Sequence, residues 1–300
     1  MPYLGETLAL AAPITWSFAV IVFRRTGRDV PPLALNLFKI TFAFGLLLVT
    51  WYLLDRTGAA AATQPHSGKI LMLLLASGVI GIGIADTLFL MALNRIGAGL
   101  HAIVTTSYSP SIIALSVLYL GERLSMVQGL GVVAILTAVL SVTAMRGPHR
   151  ELDRRTLALG TILGISAMVA QAISVVMVKP VLDQMSVVWA NCWRMAGGIG
   201  SLLLLLPILP REQRAGLRSL RRWSLWPAMI LGSLLGNYVS LMLWLGGMKY
   251  TQASVASALN QTSTLWTFLL AALLLREPVT WKRTVGLAVG LLGVALVTFG

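Results

Sequence analysis

The sequence predicts an all-α integral membrane protein with ten transmembrane helices, built as two five-helix repeats of inverted topology. Three observations predict it. Of the 300 residues, 57% are hydrophobic and 11% charged, with a mean hydropathy of +0.84. A soluble domain is about 25% charged, so this chain cannot cover itself with polar surface and needs lipid. The apolar residues fall into ten runs, about 5–23, 33–54, 69–92, 97–119, 125–145, 157–178, 187–209, 225–247, 252–275 and 282–299. Each is close to the roughly 20 residues that cross a hydrocarbon core as a helix. Finally, the chain repeats itself without a gap at an offset of 155 residues: Ala98 returns as Ala253, Glu122 as Glu277, Gly131 as Gly286 and Thr143 as Thr298.

The offset holds upstream as well. Leu4-Gly5 meets Leu159-Gly160, Asn36-x-x-Lys39 meets Asn191-x-x-Arg194, Gly45 meets Gly200 and Gly81 meets Gly236. A fixed period of this kind marks an internal repeat. The units are residues 1–145 and 156–300, with a polar linker at 146–155. Five is an odd number of crossings, so the second copy traverses the membrane in the opposite sense to the first. Glu122 and Glu277 are then expected on opposite faces. In proteins of this design the binding site lies near the midplane between repeats.

The first run carries Glu6, Pro13 and Trp16 and ends at Arg24-Arg25; no basic residue precedes it, so no cleavable signal is expected. The second holds Lys39 and ends at Trp51-Tyr52. The third contains Asp86 and is separated from the fourth by only Asn94-Arg95, so these two are antiparallel neighbours. The fourth carries His101, Thr105-Thr106-Ser107, Tyr108 and Pro110, and the turn Leu120-Gly121-Glu122-Arg123 leads to the fifth. The sixth opens with Gly160-x-x-x-Gly164, a spacing that permits close helix contact. The seventh contains Arg194 and the single cysteine, Cys192, so no intramolecular disulfide forms. A basic segment ending at Trp223 precedes the eighth, which carries Tyr238 and Trp244. The ninth carries Asn260-Gln261-Thr262 and Trp266, and the turn Leu275-Arg276-Glu277-Pro278 leads to the tenth at Trp281. Tryptophan and tyrosine at run ends suit the membrane–water interface.

The net charge of +13 does not point to nucleic acid, because arginine and lysine sit in short loops between apolar runs. Most of them follow odd-numbered helices, which by the positive-inside rule places those loops in the cytoplasm and both termini outside.

The two Leu-x-Glu turns, Leu120-Gly121-Glu122 and Leu275-Arg276-Glu277, each lie between apolar helices and precede a glycine-bearing helix (Gly131, Gly286). With the basic residue early in the second helix of each half (Lys39, Arg194), they make the chain resemble an EamA-type member of the drug/metabolite transporter superfamily. The resemblance covers nearly the whole chain. It implies ten helices, export or exchange of small metabolites, and a central cavity lined by the first, third and fourth helices of each half, with the fifth helices peripheral. Ten-helix relatives are described with both termini inside, against the charge count, so orientation stays open. The departures are Lys39 where arginine is usual and Arg276 where glycine is usual.

Ionisable residues inside a membrane are functional candidates by default. Lys39 and Asp86 lie at matching depth, about 9 Å from one face at 1.5 Å per residue, and can pair as a gating or coupling element; the alternative is a snorkelling lysine. Arg194 lacks such a partner, since Leu241 holds the position equivalent to Asp86. It needs a carbonyl, a lipid phosphate or an anionic substrate group. Thr105, Asn260 and Gln261 occupy equivalent depth in the two fourth helices. With Tyr108, Trp16, Tyr238 and Trp266 they are the candidate substrate-binding residues, the alternative being interhelical hydrogen bonds and ordinary packing. Glu6 and His101 are further titratable candidates for proton coupling, although a solvated helix end and a packed histidine are the plainer readings.

His66, His101 and His149 form no ligand motif, and neither a phosphate loop nor a nucleophile with a matching base is visible, so no cofactor and no enzymatic activity are expected. The expected function is secondary transport, by alternating access, of a small polar or amphipathic metabolite, amino-acid-like or drug-like. The expected partners are the small-molecule substrate, the lipid bilayer and, as candidate coupling ion, the proton. The expected location is a bacterial inner membrane. An uncoupled facilitator or exchanger is the alternative within the class, and an intramembrane enzyme or scaffold the alternative outside it.

Overall fold

The computed structural model describes residues 4–56, 67–120, 125–144, 153–182, 185–208, 214–250, 259–260 and 262–299. Their regular structure is helical throughout. The first repeat contributes α1 (Leu4–Thr26), α2 (Pro32–Arg56), α3 (Gly68–Gly78), α4 (Asp86–Thr105), α5 (Tyr108–Leu120) and α6 (Met126–Ala144). The second contributes α7 (Arg154–Leu182), α8 (Val187–Leu205), α9 (Trp226–Ser233), α10 (Leu241–Tyr250), α11 (Thr262–Leu275) and α12 (Trp281–Phe299). The third and eighth crossings each widen into one π-helical segment, Val79–Ala85 and Leu234–Ser240. These two segments are themselves 155 residues apart, so the repeat extends to an irregular detail of the backbone.

The break between the third and fourth crossings is sharper than a loop. Within α4 two helical stretches meet at a kink, where one residue, Gly97, turns the chain with φ 81 and ψ 168. That left-handed backbone suits a residue without a Cβ. The fourth crossing is itself discontinuous, against the expectation of one helix over 97–119. It stops at Thr106-Ser107 and resumes as α5. Pro110 supplies the reason: it has no N–H to give the Thr106 carbonyl, and its ring crowds that carbonyl. The hydroxyls of Thr105, Thr106 and Ser107 turn back onto the carbonyls of Ala102, Ile103 and Val104 at 2.7, 2.7 and 2.8 Å.

Side chains cap the starts of α6 and α7. Ser125 and Gln128 form a reciprocal capping box at α6, with bonds of 3.0 and 3.1 Å. Asp153 receives the Thr156 amide at 2.8 Å at α7, and its bonds to Thr156 hold its carboxyl below the usual carboxylate range.

Packing between the halves obeys a two-fold relation. The first crossing (α1) packs on the eighth (α9, α10 and the π segment between them) and on the ninth (α11); the sixth (α7) packs on the third (α3 and its π segment) and on the fourth (α4, α5). The second packs on the seventh, and the fifth on the tenth. Exchanging the repeats maps this set of contacts onto itself. With an odd number of crossings per repeat, that is the inverted arrangement. Close approach is built in where α3 meets α8: a Cβ on Gly78 would strike the Arg194 carbonyl, and one on Gly197 the Leu75 carbonyl. Apolar side chains face outward in quantity, as a lipid-embedded surface requires, Met126 being 90% and Leu204 77% exposed. The segment before α9 packs on α2. Leu217, Leu220 and Trp226 pack on the core, while Arg218, Arg221, Arg222 and Trp223 remain exposed.

Candidate functional site

A cavity of about 180 Å3 lies between the repeats. The first repeat contributes Trp16, Asp86, Phe89, His101, Thr105 and Tyr108; the second contributes Gln171, Arg194, Asn237, Trp244, Asn260 and Ser263. Its walls therefore come from the first, third, fourth, sixth, seventh, eighth and ninth crossings. Both π segments reach it, through Ile82 and Ala85 on one side and Gly236, Asn237 and Ser240 on the other. Such insertions recur at functional sites because they redirect side chains and loosen backbone carbonyls.

Three charged side chains define the electrostatics. The Lys39 Nζ donates to Asp86 Oδ2 at 2.5 Å. Lys39 is only 1% exposed, so it does not snorkel, and its ammonium also stands 5.6 Å from the centre of the Phe23 ring. Asp86 lines the cavity. Beside this pair, Asn36 donates to the carbonyls of Ile82 and Gly83 in the π segment at 2.9 and 3.3 Å, and to Thr87 Oγ1 at 2.9 Å. Its repeat-mate Asn191 is fully buried, and neither polar atom of its side chain has a partner among the described residues. The two halves thus hold equivalent asparagines in different states.

Arg194, 4% exposed, also lines the cavity. Its Nε donates to Ser77 Oγ and its Nη2 to Ser174 Oγ, both at 3.0 Å. The two serines, buried completely, exchange further bonds between the third and sixth crossings. Sequence reasoning had no means to find these serines: each is a lone hydroxyl in an apolar run, and only the crossing of three helices brings them to one guanidinium.

The expected site residues divide by geometry. Trp16, Thr105, Tyr108, Arg194, Asn260 and Asp86 meet at the cavity. Tyr238 stands elsewhere, its hydroxyl 2.6 Å from Thr50 Oγ1 against the second crossing. Trp266 turns outward and is 39% exposed. Gln261, Glu122 and most of the 146–155 linker lie outside the described residues. The structure adds polar groups that the sequence reading passed over or left as packing. His101 sits edge-on to Phe89 with ring centres 4.3 Å apart. His101 Nε2, Gln171 Oε1 and Asn237 Oδ1 are buried and have no protein partner among the described residues. Orphaned polar atoms are costly inside a protein. All three line the one cavity.

A solved crystal structure of a protein shares this fold with a TM-score of 0.65, covering 97% of this chain and 94% of its own at 16% identity. No curated protein matches the sequence. The model of one family matches twice, over residues 3–144 and 158–299, one match for each repeat. Ten apolar crossings in two such repeats, enclosing a polar-lined cavity, place the chain in the membrane, and it belongs to the EamA-like transporter family.

Proposed function

We propose that the protein is a secondary transporter of the bacterial inner membrane that exports or exchanges a small polar or amphipathic metabolite by alternating access. The observation that carries this reading is the cavity itself: it lies at the interface of two repeats related by a two-fold, draws walls from both, and presents orphaned polar atoms. A cavity so placed becomes accessible from either face when one repeat rocks against the other. The Lys39–Asp86 pair, at the cavity edge and absent from the other repeat, serves as a charge latch at one gate. The equivalent gate closes by apolar contact around Leu241.

Purified protein in proteoliposomes, loaded and challenged with a panel of amino acids, monocarboxylates, nucleosides and cationic drugs, tests the reading. Counterflow of one class, saturable and abolished by heat treatment of the protein, is the expected result. Accumulation driven by an imposed pH gradient assigns proton coupling, and gradient-independent exchange assigns a facilitator. Liposomes that release every probe at the rate of protein-free controls would overturn the proposal.

A further inference from the structure

We infer that the central cavity selects a monoanionic carboxylate with a small apolar or aromatic body, bound through Arg194. The inference rests on the transporter reading and names its substrate class. Charge comes first. Among the described residues, Asp86 and Arg194 are the charged side chains that line the cavity. Asp86 is committed to Lys39, which neutralises it. Arg194 has no carboxylate within ion-pair distance among the described residues; its partners there are two serine hydroxyls, which carry no charge. The lined space therefore holds one uncompensated positive charge in a medium where such a charge is expensive. A ligand with a single negative charge offsets that cost, and a cation adds to it.

Geometry comes second. A guanidinium carries five N–H donors in a planar fork, and the serines take one from Nε and one from Nη2. The remaining donors find no acceptor among the described residues, and a planar carboxylate matches such a fork in shape. The serines hold the fork in place while leaving its charge available.

Size and surroundings come third. A cavity of about 150 Å3 accepts benzene, and this one is about 180 Å3. Trp16, Val20, Phe89, Met168, Met195 and Trp244 supply apolar and aromatic wall. That favours a compact body over a nucleotide or sugar phosphate, and a dianion would leave one charge unmatched. A zwitterionic amino acid carries no net charge and leaves the surplus positive charge in place. The buried amides of Gln171 and Asn237 and the His101 ring, each with an orphaned atom, can take a second polar group on the ligand.

Benzoate, benzamide and benzylamine share one shape and differ in charge, so they isolate the claim. Binding is read from the intrinsic tryptophan fluorescence of the detergent-solubilised protein and confirmed by calorimetry. Benzoate is expected to bind at least tenfold more tightly than either analogue. Arg194→Gln should bring benzoate to within about threefold of benzamide, and Arg194→Lys, which keeps the charge but not the fork, should weaken benzoate at least threefold and leave benzamide unchanged. The inference is overturned if benzamide or benzylamine equals benzoate, if none of the three binds, or if the charge preference survives Arg194→Gln. Should Arg194→Gln fail to fold, the three ligands on the native protein and on Arg194→Lys decide the matter. Counterflow of labelled benzoate in proteoliposomes separates this failure from that of the transport reading. Tight benzoate binding without counterflow removes transport and keeps the anion site. Exchange of nucleosides or cationic drugs without benzoate binding removes the anion site and keeps transport.

Discussion

Glu277 of the second repeat caps the helix that Ala98 begins in the first. Its two carboxylate oxygens receive the backbone amides of Ala98 and Gly99, each at 2.9 Å. The left-handed turn at Gly97 bares these amides, and Cβ atoms on Gly97 and Gly99 would crowd the carboxylate. Neighbouring bonds brace the contact: Arg24 donates to the Asn94 carbonyl and Arg25 to the Leu274 carbonyl, both at 2.6 Å, and Arg283 donates to the Pro278 carbonyl at 3.0 Å. The Leu-x-Glu turn is thus a clasp between repeats, joining a carboxylate to the positive end of a helix.

Removing the clasp should loosen the pairing of the halves. Glu277→Ala is expected to cost about 1–2 kcal/mol, the upper range for loss of a helix N-cap, read as a lowered thermal midpoint in detergent. Glu277→Gln keeps one acceptor and should fall between the variant and the native protein. Equal midpoints for all three would show that the carboxylate does not hold the turn.

The residue before it points the other way. Arg276 adopts φ 54, a left-handed backbone that costs a residue with a Cβ roughly 1–2 kcal/mol. Arg276→Gly should therefore raise the thermal midpoint, and Arg276→Val should lower it. A fall with glycine would mean that the arginine side chain contributes more than its backbone strain costs.

Lys39 is buried and Asp86 half-buried at the cavity, and breaking a fully buried pair by removing one partner typically costs about 3–5 kcal/mol, an upper figure here, while removing both is often close to neutral. Transport by Asp86→Asn or Lys39→Met should fall sharply and recover at least in part in the double variant. Equal loss in all three would assign the two residues separate roles, and small additive losses would make the pair a structural contact alone.

Asn36 and Asn191 offer a direct contrast between repeats. Asn36→Leu removes bonds to two carbonyls and a hydroxyl of the third crossing and should destabilise by about 1–3 kcal/mol. Asn191→Leu removes a buried amide that has no partner among the described residues and should be neutral or stabilising in the thermal midpoint. If the two variants fell equally, Asn191 would have to be bonded in the protein's dominant state.

Cavity lining is checked by accessibility. In a Cys192→Ser background, Ser263→Cys and Asn260→Cys should react with a charged, membrane-impermeant thiol reagent, and Trp266→Cys, which faces outward, should not. Reaction at Trp266→Cys with protection at the other two would reverse the assignment of faces on the ninth crossing.

The architecture was legible in the sequence because its physics is local or periodic. Lipid demands apolar runs of fixed length, and these can be counted. Duplication leaves a constant offset, which needs no alignment to other proteins. An odd number of crossings fixes the relative sense of the copies by topology alone. The depth match of Lys39 and Asp86 could be read for the same reason, since rise per residue converts sequence position into depth. Azimuth could not be read. Trp266 and Asn260 lie on the same apolar stretch, yet one faces outward and the other the cavity, because helix rotation is set by neighbouring helices. Polar residues in runs apolar on all sides carry no amphipathic signal that would reveal it. The serines holding Arg194, the amides Gln171 and Asn237, and the reach of Glu277 across to Ala98 all join residues far apart in the chain. Only the packing of the two repeats decided them, because a lone hydroxyl or carboxylate acquires its partner from whichever helix is brought against it.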